Sequence, residues 1–215
     1  MYDPSQILPW LEQNVQMRRS RMKTLADITA GAIRLQGMGV LALGRAMEGE
    51  AKAKNRIKRV DRFLGNEQVE VDAVSEAFFH TLKPATGPVV ILADWTDRHK
   101  FQQLVLALPC DGRALPFYWV TVEKGDGSGH HDGLMIEAEA MALDALERMC
   151  GDTITPIIIA DRGFGNTRWL GDIQNRGWHF VQRLACDRGV DVEGYIGSLS
   201  KLGIKRSEAH GEHLD

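Results

Sequence analysis

Apolar positions along the chain change their period once, near Pro88. Before it they recur at helical spacing. Met22, Leu25, Ile28, Ala32 and Ile33 share one face, with Asp27 and Arg34 off it, which predicts an amphipathic helix. Gly37, Gly39 and Gly44 weaken the pattern, so at least two helices with a break near Gly37 are expected. A third is expected from about Glu48 to Leu64, with Ile57, Val60 and Leu64 inward and Gly65-Asn66 as its stop. A further helix over Val71 to Leu82 leads to Lys83-Pro84-Ala85-Thr86-Gly87-Pro88, which reads as a domain boundary.

After Pro88 the pattern is that of strands. Val89-Val90-Ile91-Leu92-Ala93 is a continuous apolar run, as in a strand buried on both faces. Phe101 to Leu108 and Ala114 to Val122 predict two more strands about a Cys110-Asp111-Gly112 turn. Leu134 to Met149 is helical in spacing, Ile154 to Ala160 a fourth strand, Thr167 to Asn175 a short helix and His179 to Leu184 a fifth strand. Three strands able to form a meander, then alternating helices and strands, resemble the ribonuclease-H-like arrangement. In that fold the first and fourth strands are neighbours, so Asp94 and Asp161, which follow them, would meet.

Composition changes the picture only through its distribution. Hydrophobic residues at 44% and charged ones at 26% fit a globular protein, and no apolar run approaches the ~20 residues of a membrane span. The N-terminus lacks the basic-then-apolar form of a signal peptide, and Cys110, Cys150 and Cys186 are isolated, which points to buried thiols in a reducing cytosol. The formal net charge is -3, yet Gln16 to Arg62 holds 12 Lys and Arg against 4 Asp and Glu. The rest then carries 14 basic and 25 acidic residues, an asymmetry that suggests a nucleic-acid-facing segment joined to an acidic module. Lys52, Lys54, Arg56, Lys58, Arg59 and Arg62 crowd one short stretch with a single acid, Asp61. They read as a DNA-binding surface, or as a solvated face.

Asp94 reads either as a metal ligand or as a turn former in Asp94-Trp95-Thr96-Asp97, and Asp161 as a ligand or a helix cap. Phosphodiester cleavage needs an activated oxygen nucleophile and a stabilised leaving oxygen, which paired Mg²⁺ ions provide. Mg²⁺ prefers hard carboxylate oxygens, so Asp is the expected residue type. Asp97 is a reserve ligand, and Arg162 a candidate phosphate contact. Trp95 reads as core packing, a wall of the metal site or a base-stacking ring. His130-His131-Asp132 reads as a helix start with Asp132 as cap. The Gly125 to Gly129 stretch lacks the Lys-Ser/Thr ending of a phosphate loop.

Ile91-Leu92-Ala93-Asp94-Trp95-Thr96, Gly112-Arg113-Ala114-Leu115-Pro116 and Ile159-Ala160-Asp161-Arg162-Gly163-Phe164-Gly165 resemble three blocks of the insertion-sequence-four group of bacterial DDE transposases. The basic helix ending Phe63-Leu64-Gly65-Asn66 is similar to their end-binding region, and Gly177 to Leu184 to the strand after the second Asp. The resemblance implies a helical DNA-end-binding region over 1–87 and a ribonuclease-H-like core over 88–185, a mixed five-stranded sheet with helices, α+β or α/β in class. A β-rich insertion would begin over 186–215. It implies a cytoplasmic bacterial enzyme that cleaves and joins transposon ends and target DNA with Mg²⁺ or Mn²⁺, as a homodimer on double-stranded DNA. Asp94 and Asp161 would be two of three catalytic carboxylates. The third, a Glu on a later helix, has no counterpart: Glu208 and Glu212 lack its apolar and tyrosine surroundings. The chain therefore reads as C-terminally truncated, expected to bind DNA yet to cleave it inefficiently, with Asp187 to Asp215 expected to be poorly ordered. A non-catalytic DNA-binding remnant that inhibits transposition, and another ribonuclease-H-like nuclease, are the competing readings.

Overall fold

The computed structural model describes residues 4–35, 38–124, 130–164, 167–184, 187–192 and 195–201. The expected break at Gly37, the Gly125–Gly129 stretch, Cys186, Glu208 and Glu212 lie outside them, as do the side chains of His130, His131 and Asp132. The chain divides into two compact units, Met1–Lys83 and Pro84–Asp215.

The first unit is all helical: α1 (Ile7–Asn14), α2 (Arg19–Leu35), α3 (Val40–Ala46), α4 (Ala53–Leu64) and α5 (Val71–Leu82). α1, which the sequence pattern did not reveal, packs Leu11 beside Met22, Ala26 and Ala77. Ile28, Leu43, Met47 and Val60 form a second core joining α2, α3 and α4. α4 starts at Ala53, five residues later than expected from Glu48. The cause is local. Gly49 has φ of 123°, outside any helix, and the Arg56 guanidinium holds the non-helical carbonyls of Gly49 (3.1 Å) and Ala51 (2.5 Å).

The second unit carries β1 (Gly87–Arg98), β2 (Phe101–Cys110), β3 (Arg113–Glu123), α6 (His130–Cys150), β4 (Ile154–Ala160), α7 (Thr167–Asn175) and β5 (His179–Gln182). These five strands form one mixed sheet in the order β3-β2-β1-β4-β5. β1 and β2, and β2 and β3, are antiparallel, while β4 runs parallel to both β1 and β5. This is the ribonuclease-H-like α+β arrangement. The β2–β3 hairpin turns at Asp111 and Gly112, both with positive φ (48° and 75°), as a tight two-residue turn requires. Cys110 beside that turn is exposed rather than buried, while Cys150 is buried at the end of α6.

Burial alternates along the central strands. Val89, Ile91 and Ala93 of β1 and Ile154, Ile158 and Ala160 of β4 are buried on one face, whereas Val90, Leu92, Ile157 and Ile159 are only half-buried on the other. α6 lies on the buried face, its Leu143, Leu146 and Met149 sealed from solvent. Past β5, β6 (Gly189–Val192) and β7 (Tyr195–Ser198) pair antiparallel, followed by a 3-10 turn, Leu199–Lys201. These two strands satisfy each other's backbone groups, and 202–215, the end of the segment expected to be poorly ordered, lies outside the described residues.

Candidate active site

Asp94 and Asp161 arise from one register. Ala93 of β1 pairs with Ala160 of β4, and each aspartate is the next residue along two parallel, adjacent strands. Neighbouring strands lie ~4.8 Å apart. Alternation assigns Asp94 to the face away from α6, with Val90 and Leu92, and sends Asp161 off the same face as Ile159. Both are exposed.

The two aspartates are held differently. β1 does not end at Asp94 but continues to Arg98, so the turn-former reading of Asp94-Trp95-Thr96-Asp97 is corrected: the ladder with β2 extends through these residues. The Thr96 hydroxyl donates to Asp94 Oδ2 at 3.1 Å. Asp161 ends its strand. Its Oδ1 accepts the Gly163 N–H at 2.8 Å and its carbonyl the Phe164 N–H at 3.2 Å, closing the 3-10 turn Arg162–Phe164. The capping expectation for Asp161 is thus met, but on this turn rather than on α7. Each carboxylate keeps one oxygen without a hydrogen bond, and neither forms an ion pair among the described residues.

That donor set suits a hard divalent cation. Two exposed carboxylates stand next in register on adjacent strands, and hard anionic oxygens are what such a cation prefers. Asp97 is placed elsewhere: it accepts from Gln102 at 2.9 Å and pairs with Lys124 at 3.0 Å. Arg162 is exposed beside Asp161 and makes no ion pair among the described residues. No group of three His, Cys, Asp or Glu gathers among the described residues.

Behind the aspartates lies a network that sequence reasoning missed. The Trp95 indole N–H donates to Glu139 Oε1 of α6 at 3.4 Å, and its ring stacks on Phe164, which packs on Trp169. Trp95 therefore packs inward against the turn that follows Asp161. The available signal was Glu139 itself, an acid in register with the apolar face of α6.

In the helical unit the six candidate cations have separate fates. Arg56 is a structural residue, bonded to the carbonyls of Gly44, Gly49 and Ala51. Arg59 pairs with Asp27 at 2.9 Å and donates to Thr24 Oγ1 at 3.0 Å. Lys52, Lys54, Lys58 and Arg62 are exposed and make no ion pair among the described residues. Arg59 and Arg62 also line a cleft of about 490 Å³ with Arg18, Arg21 and Asn55. Arg18 and Arg21 were signalled by the run Arg18-Arg19-Ser20-Arg21 but not singled out.

No helix among the described residues is long and apolar enough to cross a membrane. The family model described as Transposase DDE domain matches residues 80–210, a span that includes Asp94 and Asp161 but not α4. A search of curated proteins found no match.

Proposed function

The chain belongs to the transposase DDE domain family, and from that premise we propose that Asp94 and Asp161 are two of the three carboxylates of a DNA-strand-cleaving divalent-cation site, with cleavage inefficient unless a third is supplied. The observation that supports this is the pairing of Ala93 with Ala160, after which Asp94 and Asp161 are the next residues on adjacent strands. In the reaction a water oxygen bonds to phosphorus and the bond to the 3'-oxygen breaks, leaving a 3'-hydroxyl that can attack a second strand. A bound Mg²⁺ or Mn²⁺ supplies charge stabilisation for the attacking and departing oxygens. Asp94 and Asp161 would hold it, each with a carboxylate oxygen that Thr96 or Gly163 does not engage. Arg162, exposed and adjacent, orients a phosphate oxygen of the scissile strand.

We further infer that the helical region over 1–87 grips duplex DNA at element ends, through Lys52, Lys54, Lys58 and Arg62, with Arg59 beside the arginine-lined cleft. The core over 88–185 and the segment over 186–215 then follow the insertion-sequence-four pattern, acting in a bacterial cytoplasm as a homodimer on its DNA. The test is a nicking assay on plasmid carrying the element's terminal sequence, with Mg²⁺ or Mn²⁺. Metal-dependent nicking lost in both Asp94→Ala and Asp161→Ala supports the reading. Nicking that survives either substitution overturns the site. DNA binding without nicking by the unaltered chain would instead favour the non-catalytic binding protein.

A further inference from the structure

We propose that Trp95, Phe164 and Glu139 form a positioning clamp that sets the separation of the Asp94 and Asp161 carboxylates, and through it their affinity for a divalent cation. The inference rests on the reading of those two aspartates as the cation's ligands.

The need for a clamp follows from the backbone. The β1–β4 ladder stops at Ala93 and Ala160. Beyond it β1 runs on to Arg98, while β4 gives way to the turn Arg162–Phe164. On the side of β5 this turn is tied down: the Arg183 N–H donates to the Ala160 carbonyl at 3.2 Å, and the Gln182 amide to the Asp161 carbonyl. On the side of β1, no backbone bond joins Asp94 to Arg98 with Asp161 to Phe164 among the described residues.

Side chains supply the missing link. Trp95 stands one residue past Asp94 and Phe164 three past Asp161, and their rings stack at 6.5 Å with planes 24° apart. Phe164 is fully buried and lies 5.1 Å from the Trp169 ring, so it is a fixed surface for Trp95. Glu139, only 8% exposed, receives the Trp95 indole N–H. An acid on the core face of a helix is costly to bury unless it is hydrogen-bonded, so packing alone does not explain it. As an acceptor it fixes the direction in which the indole points, which an apolar residue there would not do. Any tilt of Trp95 is transmitted to Asp94, its covalent neighbour, and any shift of Phe164 to the turn that Asp161 closes.

The experiment is Mn²⁺ titration of the metal-free 215-residue chain, reading free ion by electron paramagnetic resonance, with Tm measured alongside. Loss of groups that orient metal ligands typically weakens binding roughly 10–100-fold. Trp95→Leu and Glu139→Ala are therefore expected to weaken Mn²⁺ binding at least about tenfold in folded protein. Glu139→Gln, which keeps an acceptor oxygen, restores near-native affinity, and Trp95→Phe, which keeps a ring but no N–H, falls between. Folded Trp95→Leu binding Mn²⁺ as tightly as the parent overturns the clamp, as does Glu139→Gln losing as much as Glu139→Ala. If Trp95→Leu does not fold, the Glu139 pair and Trp95→Phe decide by the same criteria. The Asp94→Asn control separates the two claims. Binding lost there but intact in Trp95→Leu removes the clamp alone, whereas binding intact in Asp94→Asn removes the ligand assignment and with it the clamp.

Discussion

Gly44 of α3 lies so close to Ile57 of α4 that a Cβ on it would stand 2.5 Å from the Ile57 Cα and 2.7 Å from its backbone nitrogen. The close approach lets the two helices cross over Met47 and Val60, both essentially sealed from solvent. Gly44→Ala must push backbone against backbone, so it is expected to destabilise the helical unit by about 1–3 kcal/mol, the usual cost of overpacking. Gly171→Ala in α7, where nothing lies within 4 Å of the added carbon, should instead stabilise by about 0.5–1 kcal/mol. Thermal unfolding of the two variants tests both signs.

The basic surface of α4 should separate into structural and DNA-facing cations. Arg56→Ala frees the Gly44 carbonyl of α3 and the Gly49 and Ala51 carbonyls before α4, and should cost about 0.5–1.5 kcal/mol of stability. Lys54→Ala and Lys58→Ala, at exposed sites, should leave Tm within the scatter of the parent. Combining Lys52→Ala, Lys54→Ala and Lys58→Ala should flatten the salt dependence of duplex binding by about 0.9 log units per log salt for each phosphate that is no longer neutralised. An unchanged slope in the folded triple variant would make these lysines a solvated surface only.

Cation binding should be readable in stability. A ligand bound only to the folded state at a hundred times its Kd adds about 2.7 kcal/mol, so millimolar Mg²⁺ or Mn²⁺ is expected to raise Tm. Asp94→Asn and Asp161→Asn should abolish the rise without lowering the metal-free Tm, because each removes one of two uncompensated neighbouring charges. A full Tm response in either variant would place the cation elsewhere.

Asp97 provides the matching control. Its carboxylate is engaged by Gln102 and Lys124, so Asp97→Asn should keep the Mn²⁺ affinity of the parent. The ion pair is exposed enough that its loss should cost no more than about 1 kcal/mol. A drop in Mn²⁺ affinity matching that of Asp94→Asn would bring Asp97 into the site.

Periodicity made most elements legible: Val71–Leu82, Ile154–Ala160 and Thr167–Asn175 carry their boundaries in the sequence, through apolar spacing closed by Lys-Pro, Gly-Asp or Gly. α1 was not legible, because Pro9 and the short apolar set of Ile7, Leu8, Trp10 and Leu11 give little repeat to read. The late start of α4 was hidden too. Gly49 was the one local signal in Glu48 to Lys52, and the folded position of Arg56 gives the Gly49 and Ala51 carbonyls another partner.

The sequence by itself determined which residue types were present for the chemistry: an apolar strand leading to Asp94, another leading to Asp161, and a cationic stretch upstream. Those are local patterns, and local patterns record what each segment buries. Tertiary structure alone decided that Ala93 pairs with Ala160, that Asp97 is taken up by Lys124 while Asp94 is left open, and that Arg56 serves its own turn. It also brought Glu139 beneath Trp95 from 44 residues away. Register and partner choice depend on which segments come together, and the free energy that selects them is spread over the whole sheet and its covering helix rather than written at any one position.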